Sequence, residues 1–179
     1  MPRSSVSRAP DLQSFIRDVP DFPRPGILFR DVTPLLGDAG ALKAAVGALA
    51  DPFRHVGVEK VMGIESRGFV FGAPVALALE TGFALVRKAG KLPGRTRRVT
   101  YDLEYGTDTV EMHEDSLRAG ERVLVVDDLI ATGGTAAAAV QLARDCGAHV
   151  VGCAFLIELT ALAGRRRLDV DPIHVLLRY

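Results

Sequence analysis

Two adjacent carboxylates at the end of an apolar run are the residues of this sequence best placed to do chemistry. They are Asp127 and Asp128, within the stretch VLVVDDLIATGGTAAAA. The apolar run before them predicts a buried strand, and side chains alternate along a strand, so we expect the two acids to point to opposite sides. An unpaired carboxylate beside a core is costly, which indicates polar partners such as the hydroxyls of a ligand.

The loop that follows the acids predicts an anion site. It offers backbone N–H groups, two hydroxyls and little side-chain bulk, and it consists of Ala131, Thr132, Gly133, Gly134 and Thr135. Because a helix is predicted from about Gly134, phosphate oxygens could accept these hydrogen bonds at the positive end of a helix dipole. Carboxylates for hydroxyls and a loop for phosphate together suit a sugar phosphate. A tight strand-to-helix turn capped by Thr132, with no ligand, is the alternative.

Two other phosphate-binding patterns do not occur in the sequence. A dinucleotide-binding fold is expected to carry G-x-G-x-x-G after its first strand, and a P-loop is expected to carry G-x-x-x-x-G-K-[ST]. The acid pair and its loop therefore belong to neither motif.

A second strand-to-helix turn repeats the same logic with an added cation. The strand predicted over 59–65 ends in Glu65, Ser66 and Arg67, just before a helix that carries Phe69. A guanidinium beside a helix N-terminus favours a second phosphate group. On local grounds, a surface ion pair between Arg67 and Glu65 is an equally good interpretation.

A run of basic residues follows the next predicted strand. It contains Arg87, Lys88, Lys91, Arg95, Arg97 and Arg98, with no acid before Asp102. Such a run is typical of a solvated loop or of a weak nucleic-acid patch. A mobile cationic loop could also close over a bound anion and neutralise its charge.

The order of the predicted elements favours an α/β fold. Short apolar strands alternate with helices, as in a central, mostly parallel twisted sheet with helices on both faces. Strands are predicted at 59–65, 83–88, 121–127, 148–157 and 173–178, and helices at 11–18, 39–53, 69–80 and 134–146. Residues 89–99 are predicted as a long loop, and 101–113 as an antiparallel hairpin at a sheet edge. Ligands of such sheets bind beyond the carboxyl ends of the strands.

Composition and length limit the class of protein. The chain has 179 residues, of which 48% are hydrophobic and 25% charged, with 22 basic and 22 acidic side chains. This is ordinary composition for one globular domain, and the zero net charge argues against nucleic-acid binding through overall charge. Because the two cysteines fit no ligand spacing and no apolar run is long enough to span a bilayer, we expect a cytoplasmic protein without a membrane partner.

These motifs resemble those of a known family. V-L-V-V-D-D-x-x-A-T-G-G-T is similar to the phosphoribosyl-diphosphate-binding motif of the type I phosphoribosyltransferases. PDFPRPGILFRDVTPLL, GIESRGFVFGAP, RKAGKLPG, YDLEYG and LIELTALAGRRRL resemble the adenine phosphoribosyltransferases, over nearly the whole chain. The resemblance implies the type I phosphoribosyltransferase fold as a single domain over 11–179, with a base-recognition hood segment at 11–36 and a flexible basic loop and hairpin at 87–112. Residues 1–10 match nothing in it, and we expect them to be disordered.

The resemblance also implies how the sugar donor is bound. Asp127 and Asp128 would bind the ribose 2- and 3-hydroxyls, and the loop 131–135 would hold the 5-phosphate. The matching pyrophosphate loop often contains an unusual cis peptide in this family. The implied pyrophosphate-binding residues are Glu65, Ser66, Arg67, Arg87, Lys88 and Lys91. Mg²⁺ would arrive bound to the diphosphate and water, with no direct protein ligand.

The base is expected to be recognised by other residues. In the family, the positions of Leu28, Phe29 and Arg30 form the adenine pocket: Phe29 offers a face for stacking, and the backbone of Leu28 can read the edge of the base. Without the resemblance, Leu28 and Phe29 would be interpreted as core residues beneath a loop. Glu104 is implied as the catalytic group that exchanges a proton with a ring nitrogen of adenine, and an exposed strand acid is the alternative.

The implied function is purine salvage. The enzyme would form AMP and pyrophosphate from adenine and 5-phosphoribosyl 1-diphosphate, with Mg²⁺, as a cytoplasmic homodimer. A hypothesis of another class is a regulator that kept the site and senses the nucleotide. Such a regulator is expected to carry an added DNA-binding helical domain, for which 179 residues leave no room.

Overall fold

The computed structural model describes residues 10–102 and 106–179. The chain forms two compact units, the first ending at Ala45 and the second running Val46–Tyr179. Apart from Pro10, the tail predicted to be disordered lies outside the described residues, and the single domain over 11–179 stays a prediction.

The first unit contains a small antiparallel sheet. A 3-10 helix, Leu12–Phe15, is capped by the side chain of Asp11. Strand β1 (Arg17–Pro20) then pairs with β2 (Leu28–Asp31). The helix predicted over 11–18 is therefore too long, because its last residues pair with a strand that local periodicity does not reveal.

Two α-helices follow β2 in the chain. They are α1 (Thr33–Gly37) and α2 (Ala39–Ala50). The carboxylate of Asp38 accepts a hydrogen bond from the backbone N–H of Ala41 at 2.8 Å, as expected of an N-cap. The predicted helix ends with a 3-10 turn, Asp51–Phe53.

A seven-stranded sheet dominates the second unit. Its strands are β3 (Lys60–Ile64), β4 (Gly82–Lys88), β5 (Thr96–Asp102), β6 (Thr107–His113), β7 (Arg122–Ile130), β8 (His149–Glu158) and β9 (Ile173–Arg178). The spatial order is β5-β6-β4-β3-β7-β8-β9, and β4, β3, β7, β8 and β9 run parallel to one another. The hairpin β5–β6 joins the edge of β4 antiparallel. The predicted α/β fold with a mostly parallel sheet and an edge hairpin is confirmed.

The two long helices of this unit are connected to the sheet in opposite directions. Helix α3 (Arg67–Ala78) links β3 to β4 on one side, and α4 (Gly134–Asp145) links β7 to β8 on the other. Since parallel crossovers are right-handed, the opposite directions place the two helices on opposite faces of the sheet. β3 and β7 are neighbours, so the loops after them meet at the point where the winding reverses, which is where open α/β sheets bind ligands.

Two predicted boundaries are wrong. β7 continues to Ile130 rather than ending at the acid pair, because its last residues pair with β8. β5 begins at Thr96, inside the predicted loop 89–99, because Thr96 pairs with His113 of β6. In both cases a neighbouring strand extends an element beyond its apolar pattern.

Candidate active site

A cavity of about 310 Å³ lies beyond β3 and β7. The predicted residues that line it are Glu65, Ser66, Arg67, Lys88, Asp127, Asp128, Ala131, Thr132, Gly133, Gly134 and Thr135. The loop after β3 is separated by about 60 residues of sequence from the acid pair and the loop that follows it. In the structure they form one concave surface. The sheet order explains this convergence, because β3 and β7 are hydrogen-bonded neighbours.

The two acids of β7 have different surroundings. Asp128 is buried, with 6% of its surface exposed, and its carboxylate accepts a hydrogen bond from Arg67 Nε in an ion pair. Asp127 is partly buried and its Oδ1 accepts the backbone N–H of Asp128 at 2.8 Å. A Cβ atom on Gly68 would lie 2.7 Å from this Oδ1, so glycine at that position leaves the space that the carboxylate occupies.

The electrostatics of the pair follow from these contacts. Burial, and then the negative charge of Asp128, raise the pKa of Asp127 well above the usual value for an aspartate. Arg67 offsets part of that effect. The cavity therefore contains two neighbouring carboxyl groups, and its surroundings favour the protonated form of Asp127. Such groups can form hydrogen bonds with hydroxyls.

The loop after β7 presents backbone rather than charge. Gly133 has a φ of +81° and lies at the N-terminus of α4, and no described side chain caps that helix. The first N–H groups of a helix lack intrahelical partners, so they can donate to a ligand. The hydroxyl of Thr135 is hydrogen-bonded to Tyr101 Oη at 2.9 Å.

The loop after β3 is organised by charged side chains. Glu65 accepts hydrogen bonds from Arg87 Nε at 3.1 Å and Nη2 at 3.2 Å, and from the backbone N–H of Lys88 at 3.0 Å. The hydrogen bonds from Arg87 are the main reason that the pKa of Glu65 is lowered. The peptide bond between Glu65 and Ser66 is cis, as the resemblance implied.

Lys88 connects the cavity to the hairpin. Its Nζ donates to Asp108 and, at 3.0 Å, to Tyr101 Oη. Tyr101 also donates to Asp108 at 3.2 Å, in addition to its contact with Thr135. A single polar network thus joins β4, both strands of the hairpin and the start of α4.

Two predicted cations lie away from the lining of this cavity. Arg87 is held by Glu65 and donates to the carbonyl oxygen of Lys91 at 3.1 Å. The N–H groups of Lys91 and Leu92 donate to Glu111, a carboxylate with no exposed surface. The turn that carries Lys91 is therefore fixed at both its N–H and its carbonyl group.

The residues expected to recognise the base lie in the first unit. Leu28 is 45% exposed, so it is not a core residue. The rings of Phe29 and Phe22 pack edge to face with centroids 5.1 Å apart, and Arg30 pairs with Asp18. Glu104, the expected catalytic residue, lies outside the described residues.

The sequence reasoning missed three site residues, namely Tyr101, Asp108 and Glu111. Tyr101 and Asp108 are direct cross-strand partners in the hairpin, so a fixed register would have paired them. Their contacts with Lys88 and Thr135 depend on tertiary structure and have no local signal. Glu111 also has no local signal, because its four hydrogen-bond donors come from the loop and from the neighbouring strand.

The carboxylates near the cavity suit a metal that arrives with its ligand. In residues 10–102 and 106–179, no group of three or more histidine, cysteine or acidic side chains is arranged to bind a metal ion. Glu65 and Asp128 are paired with arginines. Mg²⁺ that keeps phosphates and water as its ligands does not require a cluster of protein carboxylates.

The helices were also compared with the length of a membrane span. Across the described parts of the chain, no helix has the length and apolar character needed to cross a bilayer.

A family model for the phosphoribosyl transferase domain matches residues 38–176. The chain belongs to this family. The adenine phosphoribosyltransferase of Rhodospirillum centenum (strain ATCC 51521 / SW) is 57% identical over 169 residues, which are 94% of this chain and 98% of the relative. The predicted resemblance to the adenine phosphoribosyltransferases and the prediction of a transferase are confirmed.

Solved structures show the same relationship. Adenine phosphoribosyltransferase from Rhodothermus marinus DSM 4252 has a TM-score of 0.90 at 54% identity, over 94% of this chain and 96% of that one. The enzyme of Saccharomyces cerevisiae has a TM-score of 0.88 at 42% identity, over 93% and 96% of the two chains. That structure is a complex with adenine and D-2,5-dideoxy-2,5-imino-altritol 1,6-bisphosphate.

Proposed function

We propose that this protein transfers the 5-phosphoribosyl group of phosphoribosyl diphosphate to adenine, forming AMP and pyrophosphate. The observation that carries the proposal is that the loops after β3 and β7 line one cavity together with a pair of carboxyl groups. A phosphorylated ribose with a diphosphate on C1 has an anionic group on each side of two hydroxyls. The adenine bound by the Saccharomyces cerevisiae relative supports adenine as the acceptor.

The donor sugar is proposed to bind through both loops. The N–H groups of the loop 131–135 and the hydroxyls of Thr132 and Thr135 would hold the 5-phosphate. Asp127 and Asp128 would accept hydrogen bonds from the 2- and 3-hydroxyls. The raised pKa of Asp127 is compatible with this role, because a protonated carboxyl group can both donate and accept hydrogen bonds with a hydroxyl.

The leaving diphosphate is proposed to bind at Glu65, Ser66 and Arg67, with the cations of β4 and the following turn. Arg87 and Lys88 and the side chain of Lys91 supply positive charge as the bond between C1 and the diphosphate oxygen breaks. That bond breaks ahead of attack by adenine N9, so the ribose passes through an oxocarbenium-like state and C1 inverts.

Adenine is proposed to be recognised by Leu28, Phe29 and Arg30. Phe29 supplies an aromatic face, and the backbone of β2 supplies hydrogen-bond groups at the edge of the base. Glu104 is proposed to exchange a proton with a ring nitrogen of adenine: it would accept the proton that the ring must lose as N9 bonds to C1, which leaves the base neutral in AMP.

Mg²⁺ is proposed to enter with the diphosphate, whose charge it would partly neutralise when bound. Asp127 and Asp128 line the cavity and would accept hydrogen bonds from the sugar hydroxyls. By analogy with the family, we further propose that the enzyme is a cytoplasmic homodimer with a role in purine salvage and no nucleic-acid or membrane partner.

Purified protein assayed with phosphoribosyl diphosphate, Mg²⁺ and each purine or pyrimidine base in turn tests the proposal. We expect AMP and pyrophosphate with adenine, and little product with hypoxanthine, xanthine, uracil or orotate. Faster product formation with another base would contradict the acceptor assignment. Binding of the donor with no product from any base would instead favour the nucleotide sensor.

A further inference from the structure

The segment Glu158–Arg167 connects the end of β8 to the turn before β9 and has no role in the function proposed so far. It contains two 3-10 turns, Thr160–Leu162 and Gly164–Arg167. Resting on the proposed function, we propose that Gly164, held in place by Arg165 and Glu158, positions the loop that binds the 5-phosphate.

The contact that carries this proposal joins backbone to backbone. A Cβ atom on Gly164 would lie 2.2 Å from the carbonyl oxygen of Ala131 and 2.7 Å from the nitrogen of Gly133. In the opposite direction, a Cβ atom on Gly133 would lie 2.3 Å from the carbonyl oxygen of Gly164. Since no flexible side chain takes part, an added methyl group at either glycine could be accommodated only by a shift of the backbone of the loop.

Arg165 fastens Gly164 to the sheet. Its Nε and Nη2 donate to the two carboxylate oxygens of Glu158 at 3.1 and 3.0 Å, and its Nη1 donates to the carbonyl oxygen of Ile173 at 2.9 Å. Glu158 is only 6% exposed and also pairs with Arg178. The guanidinium therefore fixes the segment to β8 and β9 together.

The same anchor reaches the strand from which the phosphate loop begins. Glu158 is the register partner of Ile130, the last residue of β7, and the N–H of Leu159 donates to the carbonyl oxygen of Ile130 at 3.0 Å. The loop 131–135 is thus supported at its base by β8 and behind its glycines by Gly164. A loop held in this way loses little entropy when its N–H groups close on a phosphate.

The electrostatics agree with an anchor that is charged at neutral pH. Hydrogen bonds from Arg165 lower the pKa of Glu158 despite its burial, and the same contact raises the pKa of Arg165. Both groups therefore remain ionised through the range in which the enzyme would work.

The test compares two anions that use different loops. Ribose 5-phosphate and inorganic pyrophosphate are titrated separately into wild-type protein, Gly164→Ala and Arg165→Met, and dissociation constants are measured by calorimetry. We expect Gly164→Ala to weaken ribose 5-phosphate by about tenfold or more and pyrophosphate by less than twofold. Arg165→Met should show the same preference at about threefold, because Glu158 keeps Arg178 as a partner.

A matched control distinguishes the effect of the backbone contact from the effect of a glycine-to-alanine change in general. Gly47→Ala lies in α2, where an added Cβ would meet nothing within 4 Å, and should change neither affinity. If Arg165→Met weakened the binding of both anions equally, or of neither, the proposal would be overturned. Should Gly164→Ala fail to fold, Arg165→Met alone decides the test. Wild-type protein that binds ribose 5-phosphate but forms no AMP would contradict the proposed function while leaving the positioning role standing.

Discussion

The two loops of the cavity occupy equivalent places in the fold but are built differently. Each follows a parallel strand and leads into a helix whose N-terminus faces the cavity. The loop after β3 is held by charged side chains, with Glu65 bound to Arg87 and Arg67 bound to Asp128. The loop after β7 contains no charged side chain and is held by the close approach of Gly133 and Gly164.

This difference indicates two ways to bind a phosphate group. In the proposed function, the charged side chains of the β3 loop would rearrange around a diphosphate that is bound and then released. The backbone N–H groups of the β7 loop are fixed at a helix terminus, which suits the 5-phosphate proposed to bind there. We therefore expect the β3 loop to be sensitive to loss of charge and the β7 loop to be sensitive to added atoms.

The largest effect is expected from an added methyl group in the β7 loop. Gly133→Ala places a Cβ 2.3 Å from Gly164 O at a φ of +81°. Left-handed backbone alone costs an L-residue about 1–2 kcal/mol. With the clash, we expect AMP affinity to fall on the order of 100-fold, which is about 3 kcal/mol. Titration with AMP and with adenosine checks this, since only AMP should be affected.

Gly120→Ala is the matched control for this variant. Gly120 also has a positive φ, +79°, but a Cβ there would meet nothing within 4 Å. It should lower stability and leave AMP binding unchanged. Similar AMP losses in both variants would show that backbone strain, rather than the contact with Gly164, is responsible.

Loss of charge from the β3 loop is expected to have the next largest effect. Arg67→Met removes the ion-pair partner of Asp128. Since a charge-assisted hydrogen bond contributes about 1.5–3 kcal/mol, pyrophosphate affinity should fall about tenfold or more, and ribose 5-phosphate affinity much less. The exposed Arg118→Met provides a control for loss of one positive charge. A larger loss for ribose 5-phosphate than for pyrophosphate would reverse the assignment of the two loops.

Substitution of Asp127 should have opposite effects on the stability of the protein and on binding of the sugar donor. The raised pKa of Asp127 means that its carboxyl group binds a proton more tightly in the folded protein than in the unfolded chain. The stability that Asp127 contributes is therefore present below the usual pKa of an aspartate and is lost as pH rises through the raised pKa of the folded state. Asp127→Asn should raise the melting temperature at neutral pH by roughly 2–4 °C. It should also weaken binding of phosphoribosyl diphosphate.

Melting temperatures of wild-type protein and Asp127→Asn between pH 4 and pH 8 check this sign. The difference between the two proteins should grow with pH. A constant difference would mean that the titration of Asp127 has no part in stability.

The smallest effect is expected from Glu65. Its lowered pKa means that its stabilising contribution is present above the unfolded value and is lost as pH falls through the folded value. Glu65→Gln should therefore lower the melting temperature at pH 7 by roughly 2 °C, with the difference disappearing in acid. Thermal denaturation at pH 3 and pH 7 measures it. A difference that persists unchanged at pH 3 would show that packing, rather than charge, is responsible.

Much of the site was predictable because its residues are adjacent in sequence. The acid pair and the loop 131–135 form one continuous stretch, and Glu65–Arg67 forms another, so residue type and local spacing were sufficient to predict both. The bounds of β5 and β7 were predicted less well. The ends of β5 and β7 depend on backbone hydrogen bonds to β6 and β8. These hydrogen bonds form whether or not the side chains follow an apolar pattern.

Partners far apart in sequence were not predictable. The preference of Arg67 for Asp128 follows from the adjacency of β3 and β7, which no local pattern specifies. The same is true of Tyr101 with Thr135 and of Glu111 with the turn at Lys91.

The sequence by itself determined the family and the α/β class, and it predicted an anion site in each of the two loops, because residue types and their spacing are local properties. Only the tertiary structure decided how these residues are combined. It paired Asp128 with Arg67, buried Asp127 enough to raise its pKa, and placed Gly164 behind Gly133. The physical reason is that ion pairs, burial and backbone contact depend on distances through space, which are set by strand order rather than by position along the chain.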